Sequence, residues 1–428
     1  MGSIAYADKE GVTLVAHASA YGGVATHLNQ FASVLRYMVR VKHVFLFTDS
    51  EIEISRENGL PAPVLVPTLN YLWASRRFLL KLLVPLNLVR ELWLGVRYCG
   101  AICGRHIVIT SHDSNAFWGL VLLAGHVEYF LFVLPDPREE DSSRKPRELK
   151  ETVYRIWREF MRWMIRRRLE KASIRLVAPT SYAAEIWAAL LKIDSTAIHV
   201  IPNPPFLARQ CNVILRDIQA DSLMIDTIIQ RAKEGLKLVL SVGHFSDYKN
   251  PHKWLELTKR AHEKNAGLLF VWAGDGSLFE EIRTSTCGYA RIYLPGRLNQ
   301  SDLRKLYEIC WVFFHPAIKE SQGVVVMDAL TLGIPVILNK SEALPGLIGD
   351  SGAGFVLDCS SGNAATEYLS FLEKLSIYEC HQQASQQAEI LAGSQYSYEK
   401  WVEELRSLFV FQALSCNLDE KFTSEPNE

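Results

Sequence analysis

Residues 311–339 read WVFFHPAIKESQGVVVMDALTLGIPVILN. The apolar run Trp311–His315 has the character of a buried strand, Lys319 and Glu320 fall in the loop after it, a helix opens at Gly323, and Gly333-Ile334-Pro335 leads into a second apolar strand. This succession sets Glu320 at the C-terminal edge of a parallel sheet, next to a helix N-terminus whose unpaired N–H groups favour anions. Open α/β sheets bind their ligands at that edge.

The same alternation extends outward from this stretch. Upstream, strands are expected at Lys237–Val242, Leu268–Ala273 and Arg291–Leu294, and downstream at Pro335–Leu338 and Gly354–Leu357. Helices are expected between them at Pro251–Lys264, Ser277–Thr284, Ser301–Ile309 and Gly323–Leu332. Strands alternating with helices of about ten residues give a doubly wound parallel sheet. The N-terminal half repeats the pattern, with Val12–His17, Val41–Phe47, His106–Thr110, Tyr129–Leu134, Arg175–Ala178 and His199–Ile201 as strands and Tyr182–Leu191 as a helix. After Val12–His17, the turn Tyr21-Gly22-Gly23 enters a helix with Leu28, Phe31, Leu35 and Met38 on one face.

Pro202-Asn203-Pro204-Pro205 continues neither a strand nor a helix, and residues 206–235 show no strand period. The expected division is therefore an N-terminal unit over 1–203, a linker region over 204–235, a C-terminal unit over 236–394, and a frayed tail over 415–428. Residues 395–414 hold Trp401, Leu405, Leu408 and Phe409 on one helical face. Two Rossmann-like α/β units on one linker would face each other across a cleft.

Composition narrows the function classes. With 428 residues the chain exceeds what one core usually organises, and 46 basic against 47 acidic residues leave a formal charge of −1, which gives no global reason for a nucleic-acid partner. The eight cysteines, at 99, 103, 211, 287, 310, 359, 380 and 416, form no CxxC pair and no zinc-ligand spacing, so reduced thiols of a cytoplasmic protein are expected. The first residues lack a secretory pattern, and the longest stretch without Asp, Glu, Lys or Arg, residues 11–35, is broken by Gly22-Gly23. Two segments are basic and rich in large apolar residues: 71–103, and 144–168, where ten basic residues meet three acidic. Each is either a helix with a solvated arginine face or a peripheral contact with the anionic inner face of a membrane.

Several chemical groups fall at predicted strand ends. Ser241-Val242-Gly243-His244 closes one strand and Lys249-Asn250 precedes the helix at Pro251, where a lysine can reach a diphosphate. Ala273-Gly274-Asp275-Gly276-Ser277 is another strand-to-helix turn, read as a tight turn with Asp275 or Ser277 capping the helix. In the N-terminal half, Gly22 and Gly23 allow close backbone approach to a bound group. His112 and Asp113 crowd the end of another strand, as polar groups of a site or as a capped turn, and Asp136 ends the next.

In combination, GGVATHLNQF (22–31), SVGHFSDYKNP (241–251), LLFVWAGDGSLFEEI (268–282), the run from Leu294 to Ile337, and LPGLIGDSGAGFVLD (344–358) resemble GT-B retaining glycosyltransferases of the GT4 type, in order and spacing. The resemblance implies transfer of a sugar from a UDP- or GDP-linked donor to a glycan, lipid-linked or other hydroxyl acceptor, with retention of anomeric configuration. It implies that Glu320 contacts donor-sugar hydroxyls, Asp328 the ribose, and Lys249 the phosphates, with Gly323 and Val324 opening the helix beside them. The histidine-containing loop of the family corresponds to His112 and Asp113. It further implies that the last helix returns to the first unit. No cofactor and no metal are expected, since the sequence holds no DxD run.

The chain departs from the family pattern at three places. His244 stands where an arginine is usual, Asp328 where a glutamate is usual, and Ser321-Gln322 where Gly-Phe is common. Arginine is always charged and binds an oxyanion bidentately, whereas histidine is protonated only in part near neutral pH. These departures keep a second reading open, a non-catalytic GT-B scaffold that binds a carbohydrate or a partner protein.

Overall fold

The computed structural model describes the strands at 12–17, 41–48, 64–67, 106–109 and 129–133, isolated helical residues between 159 and 169, and then residues 174–205 and 222–408. Gly22, Gly23, His112, Asp113, Asp136, both basic segments for the most part, and the tail lie outside the described residues.

Two parallel sheets organise the chain. The first contains β1 (Val12–His17), β2 (Val41–Thr48), β3 (Val64–Pro67), β4 (His106–Ile109), β5 (Tyr129–Val133), β6 (Ile174–Ala178) and β7 (Ile198–Val200), in the order β3-β2-β1-β4-β5-β6-β7. The second contains β8 (Lys237–Val242), β9 (Leu268–Ala273), β10 (Ile292–Gly296), β11 (Cys310–His315), β12 (Val336–Asn339) and β13 (Gly354–Leu357), in the order β10-β9-β8-β11-β12-β13. Every pairing is parallel. Each sheet winds outward in both directions from its middle, so each has one point where strand order reverses: between β1 and β4 in the first, and between β8 and β11 in the second. Ligands of such sheets sit outside the carboxyl ends of the two strands that flank the reversal.

The second sheet is buried on both faces, which is why its strands are continuous apolar runs rather than alternating ones. Every residue of β9, LLFVWA, is buried. Alternate side chains feed two cores. Leu238, Leu240, Val271 and Phe313 pack on one face against α2 (Ser222–Lys233), α6 (Val324–Thr331) and α9 (Tyr378–Gln395). Val239, Phe270, Trp272 and Phe314 pack on the other against α3 (Pro251–Lys264) and α8 (Ala364–Ser376). The remaining described helices are α1 (Ser181–Leu191), α4 (Phe279–Ser285), α5 (Gln300–Glu308), α7 (Leu344–Ile348) and α10 (Tyr398–Leu408).

Helix α2 falls inside the stretch read from sequence as linker. Ile225 and Ile228 are buried in the second core with Met224 and Ile229 packed beside them, a spacing of three and four that a search for strand period passes over. At the other end, the Leu408 carbonyl of α10 accepts from Arg175 Nη1 on β6 at 2.7 Å, joining the last described helix to the first sheet.

Candidate functional site

The reversal point of the second sheet is lined by the loops that follow β8 and β11. After β8 the chain runs through Gly243 and His244 to a single 3₁₀ turn, Asp247–Lys249. Asn250 then takes a left-handed conformation (φ 60°) so that Pro251 can start α3. After β11 it runs through Pro316–Gln322 to Gly323, which caps α6 at φ 71°. A Cβ at Gly323 would stand 3.2–3.3 Å from Leu344, Leu347 and Val326, so this junction admits glycine on both conformational and steric grounds.

These two loops are bound to each other. The Tyr248 carbonyl accepts from the backbone N–H of Ile318 at 2.8 Å and of Lys319 at 3.3 Å, and Asn250 Nδ2 donates to the Pro316 carbonyl at 3.3 Å. From the next strand, Asn339 Nδ2 donates to the Ala317 carbonyl at 2.9 Å while its Oδ1 accepts from Cys359 N. The acid-bearing loop is thus set by backbone and amide bonds rather than by its own sequence alone.

At its centre Lys249 Nζ donates to Glu320 Oε2, and His315 Nε2 lies 2.9 Å from the same oxygen. The side chains are 15% (Lys249), 10% (Glu320) and 3% (His315) exposed, so the contact works in a poorly solvated setting. Burial pushes the Glu320 carboxyl up, but the Lys249 charge and the His315 hydrogen bond outweigh it and hold the group well below the usual carboxylate range. Burial is also the main effect on His315, lowering it, with the Lys249 charge adding to this against the pull of Glu320. A neutral His315 that donates Nε2–H to an ionised Glu320 accounts for both directions. Both partners load Oε2, and among the described residues Glu320 Oε1 accepts no hydrogen bond. This oxygen is therefore an acceptor that the described residues leave open.

The other predicted residues are distributed around this cluster. Val324 is the first residue of α6, where the leading N–H groups of a helix have no intrahelical partner. Asp328 lies farther along α6, 1% exposed, and its charge, after burial itself, raises the Tyr307 phenol. His244 is half-exposed, with Nδ1 3.3 Å from Asp275 Oδ1. That contact corrects the expectation for the 273–277 turn: α4 has Leu278 at its N-cap with no side-chain capping bond, so neither Asp275 nor Ser277 caps it. The glycines serve close backbone approach instead, since a Cβ at Gly274 would lie 1.9 Å from the Gly243 carbonyl oxygen. The structure therefore brings Lys249 and Glu320 together, puts Gly323 and Val324 at the same loop's exit, and adds His315, which the sequence reading did not single out. Gly22, Gly23, His112 and Asp113 fall in the segments following β1 and β4, which flank the reversal point of the first sheet, but they lie outside the described residues. Among the described residues no group of three His, Cys, Asp or Glu has the arrangement of a metal site.

Residues 226–390 match the family model of glycosyl transferases group 1. The family match covers the second sheet and the cluster. A sulfoquinovosyl transferase of Arabidopsis thaliana is 28% identical over 117 residues, covering 27% of this chain and 22% of the relative. A UDP-Gal:alpha-D-GlcNAc-diphosphoundecaprenol alpha-1,3-galactosyltransferase of Escherichia coli is 24% identical over 194 residues, 44% of this chain and 48% of the relative. The matched stretches span less than half the length of these relatives. By fold, the crystal structure of Anabaena Alr3699/HepE in complex with UDP and glucose is similar with a TM-score of 0.65 at 12% identity, covering 93% of this chain and 99% of that one.

Proposed function

We propose that this chain, which has the GT-B fold and belongs through residues 226–390 to the glycosyl transferases group 1, transfers a sugar from a nucleotide-sugar donor to a hydroxyl acceptor with retention and without a metal. The observation that carries the proposal is the Lys249–Glu320–His315 cluster at the reversal point of the second sheet. In this reading the donor's nucleoside diphosphate lies along the loop after β8 and the N-terminus of α6, and its sugar faces Glu320. The bond from the anomeric carbon to the diphosphate oxygen breaks, its electron pair leaving with the diphosphate. The acceptor oxygen forms the new bond and gives its proton to the released diphosphate. Lys249 and the α6 amides stabilise the negative charge that grows on the leaving group. Glu320 Oε1 holds a sugar hydroxyl, and Asp328 the ribose. Matched donors of the UDP type are named among the relatives, and UDP- or GDP-linked sugars are the donor classes proposed here.

Residues 1–203 are proposed as the acceptor unit, contributing Gly22, Gly23, His112 and Asp113 to the reaction, and 236–394 as the donor unit. No described helix is long and apolar enough to cross a membrane. Peripheral contact through residues 71–103 or 144–168 is part of the proposal for a lipid-linked acceptor, and predicts sedimentation with anionic vesicles that salt weakens. The central test measures nucleoside diphosphate release from a panel of UDP and GDP sugars, with and without EDTA. Release that EDTA abolishes overturns the metal-independent chemistry. No release, together with no shift in melting temperature on adding UDP or GDP, overturns the transferase reading in favour of a scaffold.

A further inference from the structure

Gln322 stands two residues after Glu320 and directly before the cap of α6, and it is 2% exposed. Its side-chain amide crosses to the segment by which the chain leaves the first sheet. Gln322 Nε2 donates to the Asn203 carbonyl at 3.1 Å, and Gln322 Oε1 accepts from the Asn203 N–H at 3.0 Å. The second Nε2 hydrogen meets Met327 Sδ at 3.2 Å, so the amide is occupied on both donors and its oxygen. One residue earlier, the Ser321 carbonyl accepts from Thr180 Oγ1 at 3.0 Å, and Thr180 is itself the N-cap of α1 in the first sheet's half. The partner segment Pro202-Asn203-Pro204-Pro205 has a single backbone donor, because prolines have no N–H. Gln322 takes that donor and returns one to the same residue's carbonyl.

Resting on the transferase reading, we propose that Gln322 is a positioning residue: the Gln322–Asn203 pair, with Thr180–Ser321, fixes the Glu320 loop to the exit segment of the first sheet and so sets the separation of donor-side and acceptor-side groups. The loop's hydrogen bonds to Tyr248, Asn250 and Asn339 come from the second sheet's own loops and strands. Removing the Gln322 amide leaves Glu320 with its own sheet intact and its register to the other sheet loosened. Nucleotide binding, which in this reading rests mainly on the loops of the second sheet, should largely survive, while turnover should not.

The discriminating variant is Gln322→Met, which keeps length and buries without hydrogen bonding. Three measurements decide it: amide hydrogen exchange at 198–206 and 316–323, affinity for UDP and GDP, and kcat for nucleoside diphosphate release. The expected result is faster exchange in both segments, affinity within about threefold of wild type, and kcat lowered about tenfold or more. Unchanged exchange, unchanged kcat, or loss of affinity and kcat together would overturn the proposal. If Gln322→Met does not fold, Gln322→Asn, which keeps the amide but falls one methylene short, is read by the same criteria. Wild-type protein that neither binds nucleotide nor turns over sinks the transferase reading alone, and the exchange result at Asn203 then decides whether Gln322 joins the two sheets.

Discussion

Replacing Lys249 by alanine leaves the Glu320 carboxylate, 10% exposed in the wild-type protein, with His315 as its remaining described partner. Breaking a buried ion pair by removing one partner costs about 3–5 kcal/mol, because an uncompensated charge stays behind. Retained contact with His315 argues for the lower end, about 3 kcal/mol. For a unit of this size each kcal/mol lowers the midpoint by about 2–4 °C, so the second unit should melt about 6–12 °C earlier at pH 7. The pH dependence supplies the sharper test. In wild type the folded-state pKa of Glu320 is depressed, so its stabilisation is fully present above the unfolded value of about 4.3 and is lost as pH falls toward the lower folded value. In Lys249→Ala the chief lowering influence is gone, and burial, which raises, is opposed by the His315 contact. The folded-state pKa should then rise above that of wild type, and the stability difference between the two should shrink as pH falls below the variant's folded value. Urea titrations followed through buried Trp254 and Trp272 measure both effects. A loss under about 1 kcal/mol at pH 7, or a wild-type-to-variant difference that does not shrink on acidification, would refute the account of Glu320 as a charge held by Lys249.

Glu320→Gln keeps the side-chain volume and removes the charge, and should lower nucleoside diphosphate release about a hundredfold while UDP or GDP still shifts the melting temperature; activity near wild type would remove Glu320 from the site. His244→Arg introduces a permanent, bidentate donor beside the proposed diphosphate position and should tighten UDP or GDP binding about tenfold by calorimetry at pH 8, whereas an unchanged Kd would place the diphosphate elsewhere. Gly274→Ala puts a Cβ 1.9 Å from the Gly243 carbonyl oxygen and should cost about 3 kcal/mol in chemical denaturation, against about 1 kcal/mol for Gly235→Ala, where φ is 98° but nothing lies within 4 Å. Equal costs would mean that conformation, not close approach, makes Gly274 glycine.

What the sequence made legible follows from how local each signal is. The strands of the second sheet stand out because burial on both faces makes them unbroken apolar runs, and the Glu320-to-Asp328 spacing lies within one loop and helix. Helix α2 escapes a search for strand period, although Met224, Ile225, Ile228 and Ile229 carry a helical period. His315 gave no signal, since a histidine closing a buried strand looks the same whether it packs or donates to a carboxylate. Asp275 reads as a cap until the loop after β8, 31 residues away, brings His244 to it. Gln322 could be noticed only as a departure from pattern, because its partner Asn203 is 119 residues distant.

Charge balance explains why the cluster by itself is an incomplete site. Lys249 and Glu320 neutralise each other and His315 is neutral, so the three groups carry no net charge. A departing nucleoside diphosphate brings at least two negative charges into surroundings that screen them poorly. Lys249 can serve the diphosphate only as a donor shared with Glu320, and the Glu320 charge opposes the leaving group if it stands near it. Two consequences follow for the proposed chemistry. The carboxylate must lie toward the sugar hydroxyls and away from the phosphates, in keeping with Oε1 as the oxygen that no described residue engages. In the proposed chemistry the remaining stabilisation falls to the N-terminus of α6 and to His244 as a donor. Whatever the first sheet's half contributes acts only at the right separation, which is the quantity that Gln322 and Thr180 are proposed to set by tying the Glu320 loop to the segments after β6 and β7.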